Sequence, residues 1–449
     1  MPPIQVPSIP VERMVLANGL TVLLSPSHAA PVVHVTVWYH VGSTDEARGR
    51  TGFAHLFEHL MFEGSEHVAK GEHIRTIEDA GGEMNGETEH DRTKYYETVP
   101  ANYLETVLWL ESDRMGYFLP TLTQTKLDHQ RDVVKNERRQ NYDNRPFGSE
   151  DEVMRAALFP ASNPYSWPVI GSMVDLSAAS LDDVKGFFRT YYVPNNAVLA
   201  IAGDFDVEKT KSLVEKYFGN IPHGAPVTRQ TVAAVTLSGE RRLVLEDTKA
   251  TEPKLEIAWP TVGEQSSDAV ALGALGDVLA GPRTSRLKKV LVYERQLVTS
   301  VGAGQASYDR GGKFEISMTP RPGVSMTEIN RVVDSIVGAL RDGKAPVTTA
   351  EVDRPKRSEL VGTVLGFQSA EDKAETLADG QTYYGDPEHF QKEAAEEQAV
   401  TAADVQRVAA QYLGAGRVVL SMVPKGKLDL VSEPTVSYTN VTPAPEGGR

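Results

Sequence analysis

Apolar positions along this chain follow first a period of two and then a helical period, and the whole succession is run through twice. Residues 14–26 place Asn18-Gly19 between apolar neighbours, a tight-hairpin signal because both turn positions favour positive φ. The β-branched run 32–41 predicts another strand. Helical spacing then covers 52–62, 71–80 (closed by Gly81-Gly82), 103–117 and a long stretch from 123 to 141. Between the second and third of these, 83–99 reads as an extended pair. The half closes with a helix at 181–191, a strand at 197–202 and a helix at 207–218.

Beyond Pro222 a polar, proline-containing link runs to about residue 238, and the pattern restarts. Strands at 242–246 and 254–259 precede helices at 266–279 and 285–294. Extended segments at 299–308 and 313–319 follow, then helices at 327–340, 349–364 and 404–412. The last strand, 417–423, stands where 197–202 stood in the first half. A period of roughly 220 residues is far above that of solenoid repeats and predicts a duplicated domain, 1–225 and 226–449. Because strands and helices are grouped rather than alternating, the expected class is α+β, each domain a largely antiparallel sheet covered by helices.

Composition narrows the function. A chain of 449 residues exceeds what one core organises, in keeping with two domains. With 40% apolar and 24% charged residues it is an ordinary globular sequence, and no apolar stretch approaches the roughly 18 residues of a membrane span. A net charge of -15, with no basic cluster interleaved with aromatics, argues against nucleic acid as a partner. The absence of cysteine rules out disulfides, thiolate ligands and a cysteine nucleophile together, so any metal must sit on His, Asp or Glu. The start, Met1-Pro2-Pro3-Ile4, lacks the regions of a signal peptide. A bacterial periplasmic protein whose leader has been removed is the expectation, with the cytoplasm as the alternative. The Pro- and Thr-containing tail after Pro434 is expected to be extended or mobile.

The chemistry concentrates in His55-Leu56-Phe57-Glu58-His59. On a helix His59 lies about 40° from His55, and Glu58 about 60° to the other side, so all three project from one face. Phe53, Leu56, Phe57, Leu60 and Met61 surround them with apolar surface, where unpartnered polar groups are costly. A metal would relieve that cost, and zinc suits imidazole and carboxylate ligands. Two histidines leave a catalytic zinc one protein ligand short. Glu58 would then be free to take a proton from a water that the ion acidifies. The other histidines, His34, His40, His67, His73 and His90, are scattered and read as ordinary residues. Gly302-Ala303-Gly304 lacks the third glycine of a dinucleotide loop, and Asn440-Val441-Thr442 is a glycosylation triplet of a kind common by chance.

His-x-x-Glu-His is the inverted zinc-peptidase signature. At this point the chain resembles the pitrilysin-like, or insulinase-type, peptidases of family M16. The resemblance spans nearly the whole chain. It is carried by 52–65 around the motif, by Gly81-Gly82-Glu83-Met84-Asn85-Gly86-Glu87-Thr88 with Asp91, Thr93 and Tyr95, by Val133-Val134-Lys135-Asn136-Glu137, by Val169-Ile170-Gly171-Ser172, and by Tyr192-Val193-Pro194-Asn195-Asn196 running to Asp204. It implies a zinc endopeptidase with one Zn2+ per chain, in the short bacterial and processing-peptidase branch whose half-size subunits pair into a chamber. By that similarity Glu137 is the third ligand, and Asn85, Gly86, Glu87 and Thr88 form an edge strand on which a peptide or unfolded protein lies extended.

Two departures carry consequences. Where the family has a glutamate supporting the ligands, seven residues before Glu137, this chain has Gln130, which implies a less negative and weaker metal site. Where the family has an arginine and a tyrosine after a Ser-Arg-Leu like Ser285-Arg286-Leu287, alignment places Val292 and Thr299. A related subunit without the zinc motif is therefore expected to supply that pair in a heterodimer, with a homodimer as the runner-up. The alternative is a non-catalytic scaffold subunit, as the core proteins of a respiratory-chain complex are in this family. Retention of His55, Glu58, His59 and Glu137 argues against it.

Overall fold

The opening hairpin divides its turn between local and distant needs. In the computed structural model, which describes residues 6–435 and 437–441, β1 (Glu12–Val15) and β2 (Thr21–Pro26) pair antiparallel. The loop closes with Gly19 N donating to Leu16 O at 2.9 Å. Gly19 has φ +88°, whereas Asn18 keeps a negative φ, so the expected two-residue mirror-image turn is corrected to one ending in a single left-handed glycine. Asn18 is committed elsewhere: its Nδ2 donates to Phe218 O at 2.8 Å and Ile221 O at 2.9 Å.

The first half continues with β3 (Val32–Tyr39), α1 (Phe53–Leu60), α2 (Glu72–Asp79), β4 (Glu83–Thr88), β5 (Thr93–Pro100), α3 (Leu104–Tyr117) and α4 (Gln124–Arg138). Then come α5 (Glu150–Leu158), α6 (Met173–Ala178), α7 (Leu181–Tyr191), β6 (Ala197–Gly203) and α8 (Val207–Phe218). The second half holds β7 (Arg241–Asp247), β8 (Lys254–Thr261), α9 (Ser267–Ala280), β9 (Val298–Ser307), β10 (Gly312–Pro320), α10 (Met326–Arg341) and α11 (Thr349–Gly366). It ends with α12 (Ala370–Tyr384), α13 (His389–Ala399), α14 (Ala402–Tyr412), β11 (Val418–Pro424) and β12 (Thr439–Val441).

Two six-stranded sheets result, ordered β1-β2-β6-β3-β5-β4 and β12-β7-β11-β8-β10-β9. They match position by position, as a duplicated α+β plan requires. In each, one internal pair is parallel (β2 with β6, β7 with β11). The symmetry breaks at one edge, where β12 runs parallel to β7 although β1 is antiparallel to β2. Of the tail expected to be extended or mobile, 439–441 are extended and paired with β7; the expectations for Met1-Pro2-Pro3-Ile4, for Thr442 of the glycosylation triplet and for the tail beyond 441 lie outside the described residues. No helix among the described residues is long and apolar enough to cross a membrane.

Four helices are absent from the sequence-based elements: α5, α6, α12 and α13. Two of them cross between the halves. α12 lays Ala374, Leu377 and Ala378 on the back of the first sheet, against Leu23, Trp38, Val198 and Ala200. Lys94 Nζ to Glu375 at 2.7 Å ties it down. Reciprocally, α5 presses Val153, Met154 and Leu158 onto Leu245, Leu420 and Met422 of the second sheet. Each buried Leu or Met contributes about 1.5–3 kcal/mol, so this exchange joins the halves firmly. α12 is not legible in the sequence because its buried face is mostly small, Ala374, Ala378 and Gly380 beside Leu377, and α13 because it buries only Phe390.

Where α12 and α13 approach the second sheet, carboxylates crowd a cavity of about 510 Å³ lined by Glu264, Asp277, Glu359, Glu393 and Glu397. Burial, then repulsion from Asp379, Glu393 and Asp309, lifts Glu264 to about 8. Because the folded pKa is raised, its stabilising contribution is complete below the unfolded value, near 4.5, and drains away as pH climbs through about 8. Glu264→Gln is therefore expected to raise Tm by a few degrees at pH 8.5 and leave it unchanged at pH 4. Calorimetry at both pH values checks this; an equal shift at both would refute it.

Candidate metal centre

Helix α1 enters its position under tight control. Gly52 has φ +91°, a conformation that suits glycine, and a Cβ on Gly171 would meet Gly52 N at 2.2 Å. The first N–H groups of the helix need acceptors; the buried Glu46 accepts from Gly52 N and Ala54 N, both at 2.9 Å. Asp175 holds Thr51 through its N–H at 3.1 Å and its hydroxyl at 2.7 Å. Within α1, Phe53, Ala54, Leu56, Phe57 and Leu60 are buried. His55, Glu58 and His59 are left on the open face, as the helical period requires.

Glu137, 78 residues beyond His59, arrives on the last turn of α4. Its Oε2 lies 3.0 Å from His59 Nε2 and 3.7 Å from His55 Nε2. Ligand-capable atoms of His55, Glu58 and His59 all fall within 4.8 Å of one another. Burial, then the neighbouring His59, lowers His55 to about 4, against the pull of Glu137, so His55 is a neutral imidazole near neutrality, the form that binds metal. His59 beside it holds Glu137 below the usual carboxylate range. Burial pushes Glu58 the other way, opposed by Thr88 and His59. His55 Nδ1 is buried without a hydrogen bond, and His59 Nε2, although 3.0 Å from Glu137 Oε2, is not aligned for one. Such orphaned atoms are costly, and a divalent cation between two imidazoles and a carboxylate would satisfy His59 Nε2. The donor set fits zinc, which accepts three such ligands and keeps a position open.

A second group, His73, Glu97 and Glu111, also brings ligand atoms together. There the buried Arg114 already supplies the cation, reaching Glu97 at 3.1 Å and also pairing with Glu111. Three other histidines have partners of their own: His34 bonds Thr98, His67 bonds Asp113 and His90 bonds Ser43.

Gln130 requires correction. Its amide donates to Glu63 Oε1 at 2.5 Å and makes no hydrogen bond to His55, His59 or Glu137. It lies nearly two turns up α4 from Glu137 and supports Glu63 instead. Asn85, Gly86, Glu87 and Thr88 do lie on β4, the outer strand of the first sheet. A Cβ on Gly86 would come within 3.0 Å of Glu58 Cγ and 3.1 Å of Phe62, so glycine lets this strand lie close against α1. Asn85 Oδ1 accepts from Gly86 N at 2.9 Å, and Glu87 pairs with Lys94 at 3.1 Å. Beside them opens a cavity of about 780 Å³ lined by Glu58, His59, Phe62, Ile74, Met84 and Gln130. On the second half, Val292 packs against the core, and the exposed Thr299 bonds Thr319 O at 3.2 Å. Neither replaces a guanidinium or a phenol: Val292 has no donor, and the Thr299 hydroxyl is already given to Thr319 O.

Sequence reasoning missed Glu46 and Asn141. Glu46 precedes the helix as a buried cap. Asn141 Nδ2 lies 3.4 Å from Glu137 Oε1; its place four residues after Glu137 was the available signal.

Residues 21–164 match the family model described as insulinase (peptidase family M16), and 178–359 match that of the peptidase M16 inactive domain. The zinc protease PqqE of Helicobacter pylori is 27% identical over 82% of this chain and 82% of its own. An uncharacterised zinc protease of Mycobacterium leprae is 27% identical over 90% of this chain and 89% of its own. The crystal structure of a protease from Helicobacter pylori superposes with a TM-score of 0.85 at 26% identity, covering 92% of this chain and 99% of that one.

Proposed function

The chain belongs to peptidase family M16, and from that premise we propose that it is a zinc-dependent endopeptidase subunit acting on extended peptides. The observation that carries the reading is the meeting of His55, His59 and Glu137 beside a fourth polar group, Glu58, that faces an open cavity. His55, His59 and Glu137 would hold Zn2+, whose role when bound is to polarise the scissile carbonyl and acidify the attacking water. Glu58 takes the proton from that water and passes it to the departing nitrogen. The free edge of β4 receives the substrate as an added strand, which fixes its main chain and leaves side-chain choice loose.

Oxyanion stabilisation is the weak point. With Val292 and Thr299 where donors would be needed, the expected shortfall is about 100- to 1000-fold in rate. A related subunit lacking the zinc motif would supply the missing donors in a heterodimer. The same two residues, with the match of 178–359 to an inactive-domain model, favour a second reading, a scaffold subunit without catalysis. Metal analysis and cleavage of a quenched peptide, by the chain alone and with a co-purified related chain, separate these readings. One zinc per chain, with turnover rising about 100-fold on adding the partner, is expected. Full turnover by the chain alone would sink the partner, and a folded chain that takes up no zinc would sink the peptidase.

A further inference from the structure

Glu137 occupies the final turn of α4, so its carboxylate goes where that helix end goes. The chain does not run on as α-helix: Arg139–Asp143 form a single π-helical turn. Asn141, inside it, reaches Glu137 as described, and Arg145 Nη2 donates to Asn141 Oδ1 at 3.2 Å. From the first half, the buried Arg138 anchors the turn to Gly171 O at 3.1 Å and to Glu152 at 2.7 Å.

The other anchors come from the second half. At the end of β7, Asp247 Oδ2 accepts from Phe147 N at 2.6 Å, and its Oδ1 accepts from Lys249 N at 2.6 Å. Lys249 Nζ donates to Asp143 O. Phe147 has φ +55°, an uncommon conformation for a bulky residue, one that persists only where the surroundings impose it. Its ring is buried with Leu245 and Met422 of the second sheet, and its N–H is held by Asp247. The next residue, Gly148, has no room for a side chain, since a Cβ would meet Tyr142 O at 1.9 Å.

We propose that Asp247, assisted by Lys249, is a positioning residue that sets the carboxylate of Glu137 from the opposite half of the molecule. Metal affinity in the first half thus depends on the second half. The inference rests on the reading of His55, His59 and Glu137 as a zinc site.

The test is zinc affinity by chelator competition, without substrate. Asp247→Ala is expected to weaken binding about tenfold, the size usual for groups that orient a ligand. Lys249→Met should act in the same direction and less. In a Glu137→Gln background Asp247→Ala should change nothing further. Val244→Ala, which truncates a buried side chain of the same strand, should lower Tm and leave zinc affinity alone. Wild-type affinity in Asp247→Ala, or an equal loss with and without Glu137, overturns the inference. Should Asp247→Ala fail to fold, unchanged affinity in Lys249→Met overturns it instead. If the wild-type chain takes up no zinc, the metal-site reading itself fails, and the two failures are told apart.

Discussion

Glu58→Gln is expected to leave one zinc per chain and an unchanged Tm while lowering peptide turnover by about 100- to 10,000-fold, the range for losing a general base. The amide matches the carboxylate in shape, but it cannot take up a proton. Glu58 is also the member of the open α1 face that Glu137 leaves without a partner: His55 and His59 lie 3.7 and 3.0 Å from that carboxylate. His59→Ala makes the contrast, because it should lose turnover by losing the metal. Turnover in Glu58→Gln within about threefold of wild type would remove Glu58 from the mechanism and leave the metal site standing.

The second large effect is on stability. Arg114, 2% exposed, pairs with Glu97 and Glu111, themselves 0% and 1% exposed. Its guanidinium lies 5.1 and 4.3 Å from the ring centres of Phe62 and Tyr95. His73 Nε2 adds a contact to Glu97 at 3.0 Å. Arg114→Met keeps the apolar stem and strands two carboxyls without a cation, which should cost about 3–5 kcal/mol at pH 7. Burial already lifts Glu111 to about 8 despite Arg114; without the cation both acids would shift higher. The penalty therefore grows as pH rises through about 8, where Glu111 ionises beside Arg114 but would stay protonated without it. Urea unfolding at pH 7 and pH 9 measures both points. A loss under about 1 kcal/mol at pH 7 would mean the pairs are replaceable. Tyr95 hydroxyl donates to Phe57 O at 3.3 Å, so loosening this cluster also reaches the helix that bears the histidines.

Some features were legible from the residues because they depend on neighbours in the chain. His55, Glu58 and His59 share a face because the helix repeats every 3.6 residues, and their apolar neighbours said which side would be buried. The two-fold order of elements was legible for the same reason. Glu137 was reached through family resemblance alone: nothing local distinguishes it from other acids on α4. Gln130, given a role supporting the ligands by the same alignment, shows where alignment stops, since its amide goes to Glu63.

Thus the residue order alone determined that His55, Glu58 and His59 share the open face of α1, and the doubled succession of strands and helices, both of which follow from periodicity over a few turns or strands. Tertiary structure alone decided that α4 ends against that face, that α5 and α12 exchange sheets, and that Asn18 serves a distant carbonyl pair. These outcomes rest on contacts between segments far apart in sequence. On α12 the buried Ala374, Ala378 and Gly380 fit closely beside Leu377 without leaving a strong hydrophobic pattern to read.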